Sequence, residues 1–329
     1  MIIEREEATP VGQLLAAAVL ALACCATHAA SAYPSRPIRL IVPFPPGGST
    51  DVISRLLAER LAMDLGQAVI VDNRPGASGN LGSEIVARAA PDGHTLLMAT
   101  VATLTINQSL YGKLKYDPAR ELAPLSTVAT AFQVLLAHPS LGVRSVPELI
   151  SAAKAKPGGV IAASASNGTT GHLSLELLKM LAKIDVTHVP YKGAGPAQVA
   201  LLGGQVQILF DSVTTAVPHI RAARVRALGV TRAKRSALLP DVPSIGETVP
   251  GFETTGWFAM VAPASTPRAI QDRLARSITT LLKDKEVISR IESLGAETML
   301  VTGPELDRYV QSEREKWARV IRQANITVD

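Results

Sequence analysis

Short apolar runs alternate with amphipathic stretches from Ile38 onward, and this alternation constrains the fold more than any other feature of the sequence. The run 38–42 predicts a buried strand, and residues 52–65 place apolar side chains at three- and four-residue spacing, which is typical of a helix. Strands at 68–71 and 95–99 and a helix at 81–90 follow. A βαβαβ series of this kind predicts a parallel sheet with helices on its faces.

A second series of the same kind begins near Phe132 and predicts a second α/β unit. Its strands are predicted at 133–137, 160–163, 186–189, 207–211 and 225–231, with helices between them. The chain then returns to a strand at 258–262, and Thr266 is the expected N-cap of the next helix, with proline following at the first helical position. A final helix is predicted from Pro304 to about Asn325. We therefore expect one domain from 33–131 plus 254–329 and another from 132–253, with a hinge and a ligand cleft between them.

The amino-terminal segment reads as an export signal. Residues 11–26 are apolar but too few for a comfortable membrane span, and Ala30-Ser31-Ala32 is a small-x-small cleavage site. We interpret 1–32 as a signal peptide, with a mature chain that starts near Tyr33 and is periplasmic. Three glutamates near the amino terminus disagree with this pattern, so a later start codon stays open, as does a lipoprotein acylated at Cys24.

Composition excludes several kinds of site. Both cysteines, Cys24 and Cys25, lie in the leader, so the mature chain has no disulfide and no thiol nucleophile. The six histidines are scattered without metal-ligand spacing, and neither a G-x-S-x-G elbow nor a P-loop occurs. Aromatic residues make up 4% of the chain, which argues against nucleic-acid binding. We expect no cofactor, no metal and no catalytic residue.

Removing the leader, which holds one Arg and three Glu, raises the formal net charge from +5 to +7. The densest positive stretch is 221–235, which is interpreted as a solvated helix end and loop, as a docking face for a membrane partner or as a general attraction for anions.

Three glycine-rich loops each follow a predicted strand and precede a predicted helix. They are residues 43–51, 72–80 and 164–172, two in the first unit and one in the second. Ligands of open α/β sheets bind at the carboxyl ends of the strands, where helix N-termini suit an anion. Glycine lets backbone amides approach the ligand, and Ser or Thr supplies hydroxyl donors. Three such loops favour an anion-binding cleft over ordinary tight turns.

The sequence resembles a known family, the Bug proteins, which are TctC-like receptors of tripartite tricarboxylate transport systems. The resemblance covers about 36–325 and is carried by Pro-Ile-Arg-Leu-Ile-Val-Pro-Phe-Pro-Pro-Gly-Gly from Pro37, Val-Asp-Asn-Arg-Pro-Gly-Ala from Val71, and His-Val-Pro-Tyr-Lys-Gly from His188. It is also carried by Pro91-Asp92-Gly93, Leu-Leu-Gly-Gly-Gln-Val from Leu201, Asp-Val-Pro-Ser from Asp241 and Pro-Gly-Phe-Glu from Pro250.

The resemblance implies a two-domain periplasmic-binding-protein fold (type II, Venus-flytrap), α/β in class, that closes on a small carboxylate such as a di- or tricarboxylate, an acidic amino acid or an aromatic acid. It also implies a monomeric, non-enzymatic receptor whose partner is a membrane transporter complex. The alternative is an exported α/β enzyme acting on such acids.

The expected ligand-binding residues come from the glycine-rich loops and from positions near them. They are Phe44, Gly47, Gly48, Ser49, Thr50, Asp51, Ala77, Ser78, Asn80, Thr103, Ser164, Ser166, Asn167, Gly168, Thr169, His172, Tyr191 and Asp211. The family usually has glycine at the positions of Ser78, Ser166 and Ala259.

Four side chains near the loops have stated alternatives. Asp51 caps its helix or orients ligand or water, and His172 packs or contacts the ligand. Asp211 either binds an amino or hydroxyl group, directly or through water, or has a structural role. Arg74 braces its loop or pairs with a ligand carboxylate; the first alternative is favoured, so that recognition uses amides and hydroxyls in place of a basic clamp.

Overall fold

The computed structural model describes residues 33–323 and residue 326, and it contains two sheets, each covered by helices on both faces. The predicted signal peptide, the Cys24 alternative and the predicted end of the last helix at Asn325 lie outside the described residues. In the part of the chain that is described, no helix combines the length and the apolar character that a membrane crossing requires.

The first sheet has six strands in the order β11-β4-β10-β3-β1-β2. Strands β1, β2 and β3 are parallel, and β10 runs antiparallel between β3 and β4. The elements of this unit are β1 Ile38–Val42, α1 Ser49–Leu65, β2 Val69–Asn73, α2 Asn80–Ala87, β3 Thr95–Thr100, α3 Asn107–Leu110, β4 Leu122–Ala131, β10 Gly256–Pro263, α8 Arg268–Leu281, α9 Lys285–Ser293, β11 Glu297–Thr298 and α10 Gly303–Gln323.

The second sheet has five strands in the order β7-β6-β8-β5-β9. Its parallel part is β7-β6-β8, and β5 is antiparallel to both of its neighbours. The elements of this unit are β5 Gln133–Ala137, α4 Val146–Ala155, β6 Ile161–Ser164, α5 Thr170–Ala182, β7 Thr187–Pro190, α6 Ala194–Leu202, β8 Ile208–Ser212, α7 Val213–Arg221 and β9 Arg226–Val230.

Each sheet separates two apolar clusters, which is what helices on both faces require. In the first unit, α1, α8 and α9 bury their apolar faces on one side of the sheet, and α10 packs with β10 and the residues after β3 on the other. Helix α10 contributes Leu306, Val310, Trp317 and Ile321 to this core, as the spacing of its apolar residues predicts.

The chain passes between the two sheets twice, and the two passages lie side by side. One runs from Ala131 to Gln133, and the other connects β9 to β10. The amide of Thr254 donates to the carbonyl of Thr231 at 3.0 Å, and the amide of Gln133 donates to the Thr231 hydroxyl at 2.9 Å. Paired passages of this kind allow two units to rotate about one short axis.

Two local features differ from the sequence prediction. Strand β4 is absent from the prediction because its Pro124 argues against a strand interior; the structure accommodates this proline where β4 and β10 shift register, opposite Val261. The prediction of Thr266 as an N-cap is wrong. Pro267 is the N-cap, because its ψ of 138° is not helical, and α8 begins at Arg268.

Candidate functional site

A cavity lies between the two units, where strands of both sheets end. Its volume is about 110 Å³, whereas one water needs roughly 10–15 Å³, so a small organic molecule fits. Six of the residues expected from the sequence line it: Phe44, Gly48, Ser49, Thr50, Thr169 and Asp211.

Helix N-termini from both units open into this cavity. Helix α1 begins at Ser49, α6 at Ala194 and α7 after Ser212, and all three positions line the cavity. None of these three helices has a side-chain cap. Because the first N–H groups of a helix have no intrahelical acceptor, the ends of α1 and α6 offer hydrogen-bond donors and partial positive charge to an anion. At α7 the Val213 amide donates to the Phe132 carbonyl at 3.1 Å, so this end contributes its partial positive charge.

A buried hydroxyl in the cavity wall lacks a partner. Thr100, at the carboxyl end of β3, is 8% exposed, and its Oγ1 has no hydrogen-bond partner among the described residues. The hydroxyl of Ser212, also in the wall, is unpartnered in the same sense. The wall therefore contains two buried hydroxyls that are not bonded to another described residue, and a small shift of the wall would make them available as donors.

Asp211 is the ionisable side chain among the described lining residues, and no lysine, arginine or histidine lines the cavity with it. Its carboxylate accepts from Gln198 Nε2 at 2.5 Å, from the Ser212 amide at 2.9 Å and from Thr215 Oγ1 at 3.0 Å. Burial raises the pKa of Asp211 to about 6 although these hydrogen bonds favour the charged form. The group therefore titrates close to neutral pH.

The loop after β1 is held from within by Asp51. Its carboxylate accepts from the Gly47 amide at 3.0 Å and from Asn73 Nδ2 at 3.0 Å, and it pairs with Arg55 at 2.9 Å. Burial raises the pKa of Asp51, but the hydrogen bonds from Arg55, Gly47 and Asn73 outweigh burial and lower it overall. Asp51 thus fixes the loop after β1, and Gly48, Ser49 and Thr50, which follow this loop's Gly47, line the cavity.

Arg74 pairs with Asp72 at 3.0 Å, which agrees with the bracing role expected for it. Gly47 has a φ of +86°, which favours glycine, whereas Gly48 is extended with a φ of −82°.

Several expected residues meet one another across the cleft and do not line the cavity. The Ser78 hydroxyl contacts Ser166 and the Asn167 carbonyl. A Cβ at Gly168 would lie 2.6 Å from Leu110 Cδ2 of the first unit. The loops of the two units are therefore in contact beside the cavity.

The remaining expected residues support these loops. Asn80 accepts from Asn107, and Thr103 bonds to the backbone of Thr100. Ser164 bonds to His188, whose ring stacks on His172 at 4.2 Å. Ala77 precedes Ser78 with a φ of 45°, and the Tyr191 amide donates to the Ser164 carbonyl at 2.9 Å.

Much of the cavity wall comes from residues that the sequence analysis did not select. Thr100 ends β3, and Val101 and Ala102 follow it; all three lie where the rule for the carboxyl end of a parallel strand would place ligand-binding residues. The strand β10 carries no such signal because it is antiparallel, and its contribution depends on the tertiary arrangement. The additional lining residues are Pro45, Thr100, Val101, Ala102, Ala131, Gln133, Ala165, Thr170, Gly171, Ala194, Leu209, Phe210, Ser212, Gly256, Trp257 and Phe258.

A family model described as tripartite tricarboxylate transporter family receptor matches residues 53–326. The chain belongs to this receptor family. Among curated relatives of the receptor, the protein BugT of Bordetella pertussis is 39% identical over 296 residues, which is 89% of this chain and 91% of BugT. The resemblance expected from the sequence is confirmed.

Solved structures of related proteins share the fold of this receptor. The structure of Rpa4515 from R. palustris with adipate has a TM-score of 0.87 at 36% identity and covers 90% of this chain and 99% of that one. MatC (Rpa3494) from Rhodopseudomonas palustris with bound malate has a TM-score of 0.81 at 34% identity and covers 88% of this chain and 100% of that one. The predicted fold class, two sheets flanked by helices as in periplasmic binding proteins, is confirmed.

Proposed function

We propose that this receptor captures a small carboxylate in the cavity between its two units and delivers it to a membrane transporter, without chemical turnover. The observation that carries the proposal is the set of three uncapped helix N-termini directed at one cavity whose described lining has no basic side chain. Such a site holds a carboxylate by amides and hydroxyls. The adipate and malate named for two structural relatives support this class of ligand.

The cavity wall also restricts the body of the ligand. Phe44, Val101, Leu209, Trp257 and Phe258 present apolar surface beside the polar helix ends. A hydrocarbon segment between or behind the carboxyl groups would bury against this surface. We therefore place linear dicarboxylates and aromatic acids ahead of tricarboxylates as ligands.

The proposed location is the periplasm, with residues 1–32 acting as the export signal. The proposed domain boundaries lie at the two passages between the sheets, near 131–132 and 253–254. Ligand is proposed to bring the two domains together, with the glycine-rich loops of both domains around it.

Ligand binding should raise the melting temperature of the purified protein. A ligand at about 100 times its dissociation constant stabilises the folded state by about 2.7 kcal/mol, and for a chain of this size each kcal/mol corresponds to roughly 1.5–2 °C. We expect a shift of about 4–5 °C for at least one acid in a panel of adipate, malate, citrate, glutamate and benzoate. Recovery of the unchanged acid separates a receptor from an enzyme, and the absence of any shift would contradict the proposal.

The affinity for an acid without an amino group should rise as pH falls from about 7.5 to about 6. Protonation of Asp211, whose pKa is raised to about 6 by burial, removes a negative charge beside the bound anion. Bound anion in turn favours the protonated form, so binding takes up a proton and is stronger at the lower pH. Ligand carboxyls with pKa values of about 4 stay ionised over this range, and citrate, whose last carboxyl titrates within it, is left out of this test. Calorimetry should record a gain of roughly threefold to tenfold.

Asp211→Asn supplies the matched variant for this prediction. It should bind adipate at least as tightly as the wild type at about pH 7.5 and should lose most of the pH dependence. An amino acid ligand should instead bind more weakly to Asp211→Asn than to the wild type, because its ammonium group would lose a carboxylate partner. Unchanged pH dependence in Asp211→Asn would show that another group titrates.

A further inference from the structure

Three hydrogen bonds converge on the hydroxyl of Ser78, and two of them come from the other unit. Ser78 Oγ lies 2.7 Å from Ser166 Oγ, 2.5 Å from the Asn167 carbonyl oxygen and 2.5 Å from the Tyr111 hydroxyl. Ser78 is 5% exposed. Ser166 and Asn167 belong to the loop after β6 in the second unit, so these contacts bridge the cleft.

The donors and acceptors of this cluster match. A serine hydroxyl carries one proton and two lone pairs. The proton of Ser78 serves the Asn167 carbonyl, which can only accept, and the two lone pairs receive the hydroxyl protons of Tyr111 and Ser166. Every hydrogen-bonding position of the Ser78 oxygen is used, and two of the three require the opposite unit to be in place.

The backbone at Ser78 is strained. Its φ of 55° and ψ of 36° lie in the left-handed region, and the preceding Ala77 has a φ of 45°. Residues with a Cβ adopt this backbone region at a cost in conformational energy, and glycine adopts it without that cost. Such strain persists where the surroundings impose it and is concentrated at functional positions. Here the strained residue is the one that carries the bridging hydroxyl.

The opposite loop is fixed before it meets Ser78. The Ser164 hydroxyl lies 3.1 Å from the Ser166 carbonyl and 2.7 Å from His188 Nε2, and the Gly168 amide donates to His172 Nδ1 at 3.0 Å. Burial lowers the pKa of His172 to about 3 and that of His188 to about 4, so both rings are neutral and keep these roles at neutral pH. Ser166 is therefore presented by a supported loop.

We propose that Ser78, Tyr111, Ser166 and Asn167 form a latch that exists only in the closed cleft and determines how fast a bound ligand leaves. This proposal rests on the proposed function, because the ligand whose departure the latch slows is the small carboxylate held in the cleft. In the open cleft these groups are hydrated, so the latch stabilises the closed state relative to the open state alone. Removing it should speed dissociation and leave association unchanged.

A double-mutant cycle with Ser78→Ala and Ser166→Ala tests the latch. Alanine keeps the Cβ at position 78, so the backbone strain is matched and only the hydroxyl is lost. With adipate and malate as probes in stopped-flow measurements, each single variant should raise the dissociation rate roughly threefold to tenfold. The double variant should be little worse than either single variant because the two hydroxyls act together. Ser166→Thr, which keeps a hydroxyl, should retain slow dissociation.

A second measurement is independent of ligand affinity. With Cys24→Ser and Cys25→Ser as background, Ser78→Cys with Ser166→Cys should form a disulfide under mild oxidation, because the two Oγ atoms are in contact. Ser78→Cys with Ser140→Cys is the control that should not. Wild-type dissociation rates in both alanine variants, or no disulfide in the paired cysteines, would overturn the latch. If wild-type protein binds neither probe but the disulfide forms, the proposed ligand class fails and the latch stands.

Discussion

Gly193→Ala is expected to weaken ligand binding by roughly ten- to a hundredfold. Gly193 belongs to the second unit, and a Cβ there would lie 2.7 Å from Cγ and 3.0 Å from Cδ of Pro45 in the first unit. A proline ring cannot rotate out of the way, so the two units would have to stay apart. Calorimetry with the acid that binds wild type best measures the loss, and small-angle scattering should show no contraction on adding ligand.

Backbone strain has to be separated from this clash, because Gly193 has a φ of +121°. Gly142→Ala is the control: Gly142 has a φ of +78°, and a Cβ there meets nothing within 4 Å. Strain alone acts on open and closed forms equally, so Gly142→Ala should lower the melting temperature and keep the affinity. Wild-type affinity in folded Gly193→Ala would mean that ligand binding does not require the units to approach at Pro45.

Glu313→Ala is expected to lower the free energy of unfolding by about 2–6 kcal/mol. The Glu313 carboxylate is 8% exposed and accepts from the indole N–H groups of Trp257 and Trp317, each at 3.1 Å. Both indoles are 1% exposed, so removing their acceptor leaves two buried donors without a partner. At roughly 1.5–2 °C per kcal/mol for a chain of this size, the melting temperature should fall by about 3–12 °C.

Glu315→Ala serves as the matched control on the same helix. Glu315 is exposed and bonds only Gln311 Nε2 among the described residues, at 2.9 Å, so its loss should change stability by less than about 0.5 kcal/mol. Glu313→Gln keeps an oxygen acceptor and should be intermediate. Equal melting temperatures for the two alanine variants would refute the role of Glu313. Because Trp257 also lines the ligand cavity, Glu313→Ala should weaken binding as well.

The sequence was most informative where the local pattern and the tertiary environment agree. The strands at 38–42 and 133–137 have the predicted bounds, since a run of five residues with a single polar member suits a strand buried on both faces. The glycine-rich loops lie at strand ends as expected, and Ser49, Thr50 and Thr169 from these loops line the cavity. The rule for the carboxyl ends of strands therefore predicts three residues that line this cavity.

The remaining features depend on which distant segments meet. Strand β4 contains a proline that is tolerated only because a register shift lies beside it in the partner strand. Trp257 and Phe258 line the cavity because β10 inserts between β3 and β4, and no local pattern reports that insertion. Nor does the sequence show that Ser78 and Ser166, which are 88 positions apart, share a hydrogen bond. Both were expected on the ligand, and their contact with each other is a tertiary result.

The insertion of β10 into the middle of the first sheet has a consequence for the order of folding. The second sheet and the core on it require nothing after Phe252, so that unit can complete its packing as soon as the chain has reached this residue. The first sheet lacks the strand that joins β3 to β4 until residues 256–263 have emerged, and α10 follows later still. In a chain that emerges from its amino terminus, the unit that begins first can therefore complete its sheet only after the second unit already has its full sequence.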